Sequence, residues 1–333
     1  MWEHLKGLIS ALWDHFTSMM GPILRGMTSR MWALVVSIFV GLVILYYLVG
    51  MAVVHVIDDD PTFTPGTRDL VENGSQTVAI ISGLMDREVN RNGWVANDPF
   101  FYASSALDNM PNFQQGMRAA LNQVVLELRD QIGRNRGSSA ADPDLEEAVG
   151  DFNYQGTIWH FKFPNIFIPQ PTSEELYRRG IKALRAYNKR VASGDAVFET
   201  RVDNLLATVD RIALDLGSSA AGVDQYVRTH AGGLGPDFGA DDLFYNVKGR
   251  AYAILMVMRG LKADFPRVIE ARELESVWQN LDDSLAKIVR IDPFIVMNSR
   301  VDGLVFPNHL AVQGFYLMRA RGQMRELTGI LEK

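Results

Sequence analysis

An all-α chain carrying one membrane-spanning helix is what this sequence predicts, and three observations predict it. The first is an uncharged apolar run from Trp32 to Val54, WALVVSIFVGLVILYYLVGMAVV. At about 1.5 Å per helical residue it reaches roughly 34 Å, enough to cross a hydrocarbon core of about 30 Å. The second is that the segments beyond it repeat their apolar residues at threes and fours, between recognisable helix starts and stops. The third is that the aromatic stretch YQGTIWHFKFPNIFIPQP (154–171) carries prolines that forbid a helix, so it reads as an extended segment with room for one short strand. No sheet is called for.

Residues 1–20 place Trp2, Leu5, Ile9, Leu12, Trp13 and Phe16 at helical spacing, with Glu3, Lys6, Ser10 and Asp14 mostly opposite. This is an amphipathic helix, broken by Gly21-Pro22 and suited either to the membrane surface or to docking a partner. The run that follows is too long and too far from the start for a signal peptide, and it lacks the polar stripe of a core helix. Lys6, Arg25 and Arg30 precede it, whereas Asp58, Asp59 and Asp60 follow. The basic flank stays in the cytoplasm by the positive-inside rule. The expected organisation is therefore a cytoplasmic amphipathic segment over 1–30, the transmembrane helix over 31–57, an acidic linker over 58–66 and a helical periplasmic domain over 67–333. The chain from about Pro61 onward is expected to fold alone.

Within that domain the spacing predicts about eight helices. Thr67 caps the first, which stops at Asn92-Gly93; 94–111 is an irregular aromatic loop; a second helix spans 112–132; Asp142-Pro143 opens a short one. Thr172 to Glu175 forms a capping box for a helix to about Ala192. Helices over 196–216 and 223–230 follow, and Asp241 or Asp242 caps the most buried-looking one, closed by Pro266. The last two cover 270–291 and 308–331. Two faint internal echoes, 136–149 with 216–227 and 107–117 with 301–315, read as ordinary helix stops and starts rather than as a duplication.

Composition narrows the function classes. Lys6, Arg25 and Arg30 against Glu3 and Asp14 leave the first 57 residues at +1, so the rest carries −7 of the net −6. An acidic outer domain argues against nucleic acid or an anionic bilayer surface as its partner. The absence of cysteine removes thiol catalysis, Cys-ligated zinc, iron–sulfur clusters and disulfides together.

The segments NGWVANDPFF (92–101), LDNMPNFQQGM (107–117), RVDNLLATVDRIALDLGSSAA (201–221), DDLFYNVKG (241–249) and PNHLAVQGFYLMRARGQMREL (307–327) resemble an uncharacterised proteobacterial family, DUF2333. The resemblance covers most of the chain. It implies a Gram-negative envelope setting and carries no activity, ligand or catalytic residue.

The familiar catalytic and phosphate-binding motifs are missing, and HAGGLGPDFG (230–239) follows no strand and lacks a lysine. Six histidines are scattered, no two at ligand spacing on one helix, so no metal or cofactor is expected. His160, between Trp159 and Phe161, reads as a packed residue before it reads as a general base. Glu146, Glu147 and Asp151 offer the two carboxylates that glycan cleavage needs, but in a chain with 39 carboxylates a solvated helix face is the better reading. The preferred interaction surface is the loop bearing Trp94, Asp98, Phe100, Phe101, Tyr102, Asp108 and Asn109, because aromatics on an irregular loop suit an interface as well as they plug a core. The expectation is a non-enzymatic scaffold or interaction module of an envelope complex, with the bilayer and envelope proteins as partners. An enzyme acting on peptidoglycan and a carrier of lipid or small amphiphiles are the alternatives.

Overall fold

The computed structural model describes Gly7, Ser10, Ala11, Asp14, His15, Ser18 and residues 28–134, 141–161, 169–233, 237–301 and 306–333. Those six isolated residues are helical and exposed; the remainder of the amphipathic helix expected over 1–20 lies outside the described residues. The chain divides into two units, Met1–Val53 and Val54–Lys333. The first holds nearly all of α1, Ser29–Val54, a helix with the length and composition of a membrane span and with none of its residues buried. Branched and aromatic side chains such as Ile38, Phe39 and Leu42 are outward on every face, which suits a helix solvated by acyl chains and not by water.

The α-helices of the second unit are, among its described residues, α2 Gln76–Asp86, α3 Asn109–Glu127, α4 Pro143–Phe152, α5 Ser173–Ser193, α6 Val202–His230, α7 Phe238–Asp264, α8 Pro266–Ala271, α9 Glu275–Val289 and α10 His309–Leu331, and no strand occurs among them. The short strand allowed for over 154–171 is absent from the described part of that stretch, and 162–168 lie outside it. A single bridge between Asn298 and Asn308 is the only strand-like pairing among the described residues.

Helix α7 is the centre. It is buried on all sides, from Phe244 to Leu261, as its nearly continuous apolar run requires. Against it pack α2, α3 and α9, while α4 pairs with α5 and α6 with α10. The α3–α7 crossing is backbone on backbone: a Cβ on Gly116 would overlap the carbonyl oxygen of Asn246, and one on Gly249 that of Phe113. Two glycines therefore set how closely these helices approach.

Several boundaries move, each for a local reason. Helix α2 begins at Gln76, not near Thr67, because Asn73 takes a positive φ of 61° before Gly74. Ser75 then caps Val78 N, and Asp264 at the end of α7 accepts from Ser75 Oγ (2.7 Å), Gln76 N (2.7 Å) and Thr77 N (2.9 Å). A carboxylate there completes the orphan donors of the first turn. Gly217-Ser218-Ser219, expected to stop a helix, lies in the middle of the continuous α6. The Arg321 guanidinium packs over this glycine, and a Cβ there would meet Nε at 2.8 Å. Helix α7 is capped by Asp237, whose side chain accepts from Ala240 N, rather than by Asp241 or Asp242. The helix expected over 270–291 is split into α8 and α9 at Glu273, where φ is 52°. The fusion within α6 and the split at Glu273 offset each other, and nine helices lie beyond α1 among the described residues, where about eight were expected.

Candidate functional site

The loop between α2 and α3 divides its side chains between inside and outside. Trp94 is buried, donates from Nε1 to Gly156 O at 2.7 Å and meets the Tyr177 ring edge-on. Asn97, also buried, donates to Ile158 O (2.8 Å) and to the Glu174 carboxylate (2.6 Å). These two residues fasten the loop to the 154–171 segment and to the start of α5. Between these anchors and α3 the chain turns outward: Phe100 is 81 % exposed, Phe101 48 % and Tyr102 46 %. Asp98 accepts from Ser104 Oγ, and burial raises its carboxyl above the usual range.

The exposed aromatics are joined by a second set. The Phe101 ring packs edge-on against Trp159 at 5.5 Å, and Trp159 against Phe161 at 5.6 Å; Phe161 is itself exposed. Two segments some sixty residues apart thus make one aromatic surface of Phe100, Phe101, Tyr102, Trp159 and Phe161. His160 is exposed at its edge, neither packed in the core nor enclosed in a cleft.

Asp108 and Asn109 serve a different neighbour. Asp108 caps α3 by accepting from Asn109 N at 2.9 Å, and the Asn109 amide faces both Asp108 and Asp241 as a donor. Asn112 donates to Asp242 at 2.7 Å. Burial, with Asp108 and Asp242 close by, pushes the Asp241 carboxyl up to about 6. Of the seven loop residues expected at one surface, then, Phe100, Phe101 and Tyr102 form it, Trp94 and Asp98 lie behind it, and Asp108 and Asn109 belong to the α3–α7 junction.

The other candidates lose their chemistry. Asp151 is buried and taken by Arg179, whose Nε also lies 3.3 Å from Glu147, while Glu146 is exposed on the same helix. No group of His, Asp and Glu able to hold a metal occurs among the described residues.

What sequence reasoning missed is a buried charge clamp on the segment beyond α1. Helix α2 runs into a wide turn over Arg87–Arg91, closed by Asn92 N on Arg87 O at 2.9 Å. Such a five-residue repeat brings two successive side chains inward, and Arg87 and Glu88 are both buried. Arg87 bonds Glu88 (2.9 Å), Tyr252 Oη (2.9 Å), Asp58 O (2.6 Å) and the Asp58 carboxylate (3.1 Å). From α7, Lys248 is wholly buried with its ammonium 2.7 Å from Asp59 and 3.3 Å from Asp292. Tyr252 Oη donates to Asp60 O at 2.9 Å, and Arg259 donates to Pro61 O. The acidic linker over 58–66 is thus bonded to the helices through its first four residues. Desolvation alone pulls the Arg87 guanidinium down, but Glu88, Tyr252 and Asp58 outweigh it and the net shift is upward; burial raises Glu88. The available signal was Lys248 itself, which with Arg250 and Arg259 interrupts the apolar run of α7, since a buried charge requires a partner.

The profile of a family described as an uncharacterized protein conserved in bacteria matches residues 24–231 and 235–333. The chain belongs to that family, DUF2333. No curated protein and no solved structure matches it.

Proposed function

We propose that this DUF2333 member is a single-span inner-membrane protein whose helical periplasmic domain is a non-enzymatic interaction module, docking an envelope protein through its aromatic surface. The observation that carries the reading is the union of Phe100, Phe101 and Tyr102 with Trp159 and Phe161 on an exposed face. Monomeric proteins rarely leave contiguous apolar area in water without a use for it, and aromatic side chains bring large contact area at low entropic cost. The rigid support beneath, Trp94 on Gly156 and Asn97 on Glu174, holds that face in one shape before a partner arrives, which lowers the cost of association. The basic residues before α1, with Arg25 and Arg30 nearest to it, favour a cytoplasmic amino terminus.

Two experiments test this. Phe100→Ala with Phe101→Ala in the full chain should abolish co-purification of a stoichiometric partner from mild detergent while circular dichroism and melting stay as in the parent. Retention of the same partner by the double variant would remove the aromatic surface from the reading. Alkaline phosphatase fused after Lys333 should be active, and activity confined to a cytoplasmic reporter would reverse the orientation.

A further inference from the structure

A second feature lies on other elements. Helix α10 is apolar on two sides: Leu310, Leu317, Ala320, Met324 and Leu327 face the core, whereas Phe315 and Met318 are 61 % and 56 % exposed. The outward side lies along α6, where Gly217, Ala220 and Ala221 stand opposite Ala311 and Gly314. Small residues on both walls open a groove of about 590 Å³, within the range of roughly 300–1,000 Å³ for sites that take one small ligand. Its walls are mostly apolar and its rim is charged.

The charges are unequal. Arg228 and Asp224, both at the rim, pair with each other at 2.8 Å and cancel. Arg321 lines the groove, packs its guanidinium against Gly217 and makes no ion pair or hydrogen bond with any described residue. A partly buried guanidinium has five donors and normally finds an acceptor. Among the described residues the groove therefore offers an apolar trough with one positive charge that has no counter-charge. Asp224 close by disfavours a second negative charge on the occupant.

We propose that the groove between α6 and α10 binds a single-chain monoanionic amphiphile, a long-chain fatty acid whose carboxylate pairs with Arg321 and whose acyl chain lies along Phe315 and Met318. This site is separate from the aromatic surface and stands or falls without it. A carboxylate suits Arg321 because the guanidinium fork donates to its two oxygens side by side.

The test uses the full chain in lipid nanodiscs with a diazirine-bearing palmitic acid, irradiation, and mass-spectrometric mapping of the adducts. Adducts are expected on the α6 and α10 peptides that carry Val227, Phe315 and Met318, as well as on α1. Gly314→Trp, which fills the trough, should remove the α6 and α10 adducts and leave those on α1. Arg321→Gln should lower groove labelling about tenfold, the loss of roughly 1.4 kcal/mol expected for one charge-assisted bond. Because Arg321 is only partly buried, this second variant reports even where Gly314→Trp fails to fold. An uncharged monoacylglycerol diazirine and a lysophosphatidate diazirine should both label the groove weakly. Labelling confined to α1, groove adducts that survive either substitution, or equal labelling by the uncharged or the phosphate probe would overturn the proposal.

Discussion

Removing Asp59 tests whether the segment beyond α1 is part of the domain's core. The Lys248 ammonium is wholly buried, 2.7 Å from the Asp59 carboxylate and 3.3 Å from that of Asp292. Taking away one partner of a buried pair typically costs about 3–5 kcal/mol, because the remaining charge stays desolvated. Asp59 is 30 % exposed and Asp292 80 %, so water and Asp292 recover part of that loss. We expect Asp59→Ala to cost about 2–3 kcal/mol and to lower Tm by roughly 5–10 °C for a domain of this size. Asp292→Ala, at the exposed end, should cost under about 1 kcal/mol. Lys248→Met replaces the ion by an apolar chain of similar length and should itself be mild. In that background the Asp59→Ala penalty should fall below about 1 kcal/mol, which gives a coupling near 2 kcal/mol in a double-mutant cycle. The assay is denaturant unfolding of the full chain in detergent, followed by circular dichroism. Additive single and double variants, or an Asp59→Ala protein as stable as the parent, would refute the clamp. The same logic ranks two fragments: one beginning at Val54 should be more stable than one beginning at Pro61, which leaves Lys248 and Arg87 without Asp59 and Asp58.

Gly249→Ala should be among the most damaging single changes, at the upper end of the roughly 1–3 kcal/mol typical of overpacking, because its new methyl meets the backbone of α3 and not a movable side chain; a Tm loss smaller than that of Gly150→Ala, where nothing lies within 4 Å, would contradict the crossing geometry. Trp94→Ala should cost about 3–5 kcal/mol by urea unfolding, whereas Phe100→Ala, 81 % exposed, should stay within about 0.5. Asp241 titrates at about 6 in the folded chain against an ordinary 3.8. The folded state therefore holds that proton more tightly, and the stability it contributes is complete below pH 3.8 and lost as pH rises through 6. Asp241→Asn should flatten the stability profile between about pH 4 and pH 6 and raise Tm at pH 8; an unchanged profile would place Asp241 in open water.

How much was legible follows from where each signal lives. The Trp32–Val54 run, the capping box at Thr172 and the Asn308 start are local, and α1, α5 and α10 appear where those residues put them. The stop expected at Gly217 did not form: α6 runs through it, and the glycine packs under Arg321, more than a hundred residues away. The same holds for the α2 start, which is completed by Asp264 from the far end of α7. For the site, the aromatic composition of 94–111 was visible, but which rings face inward depends on Gly156 and Tyr177 as neighbours. Trp159 and Phe161 were read beside His160 as a separate candidate, because the contact with Phe101 that unites them is a tertiary one.

The aspartates at 58–60 carry two separable meanings. In the sequence they are the acidic flank that leaves the positive charge on the other side of the span. In the folded chain Asp58 and Asp59 neutralise Arg87 and Lys248, and the Asp60 carboxylate accepts from Thr62 N at 2.8 Å. Orientation bias depends chiefly on Lys and Arg near the span ends, and acidic residues contribute little to it, whereas the clamp depends on the carboxylates themselves. Placing lysines at 58 and 59 would therefore set like charges against two buried cations and unfold the helical unit beyond α1, whatever the orientation of α1. An inverted reporter pattern from such a variant could not be told from misfolding. Substituting Lys6, Arg25 and Arg30 on the other flank changes the insertion signal and leaves every clamp contact in place, so a reporter after Lys333 should lose activity in that variant while the melting of the helical unit stays as in the parent.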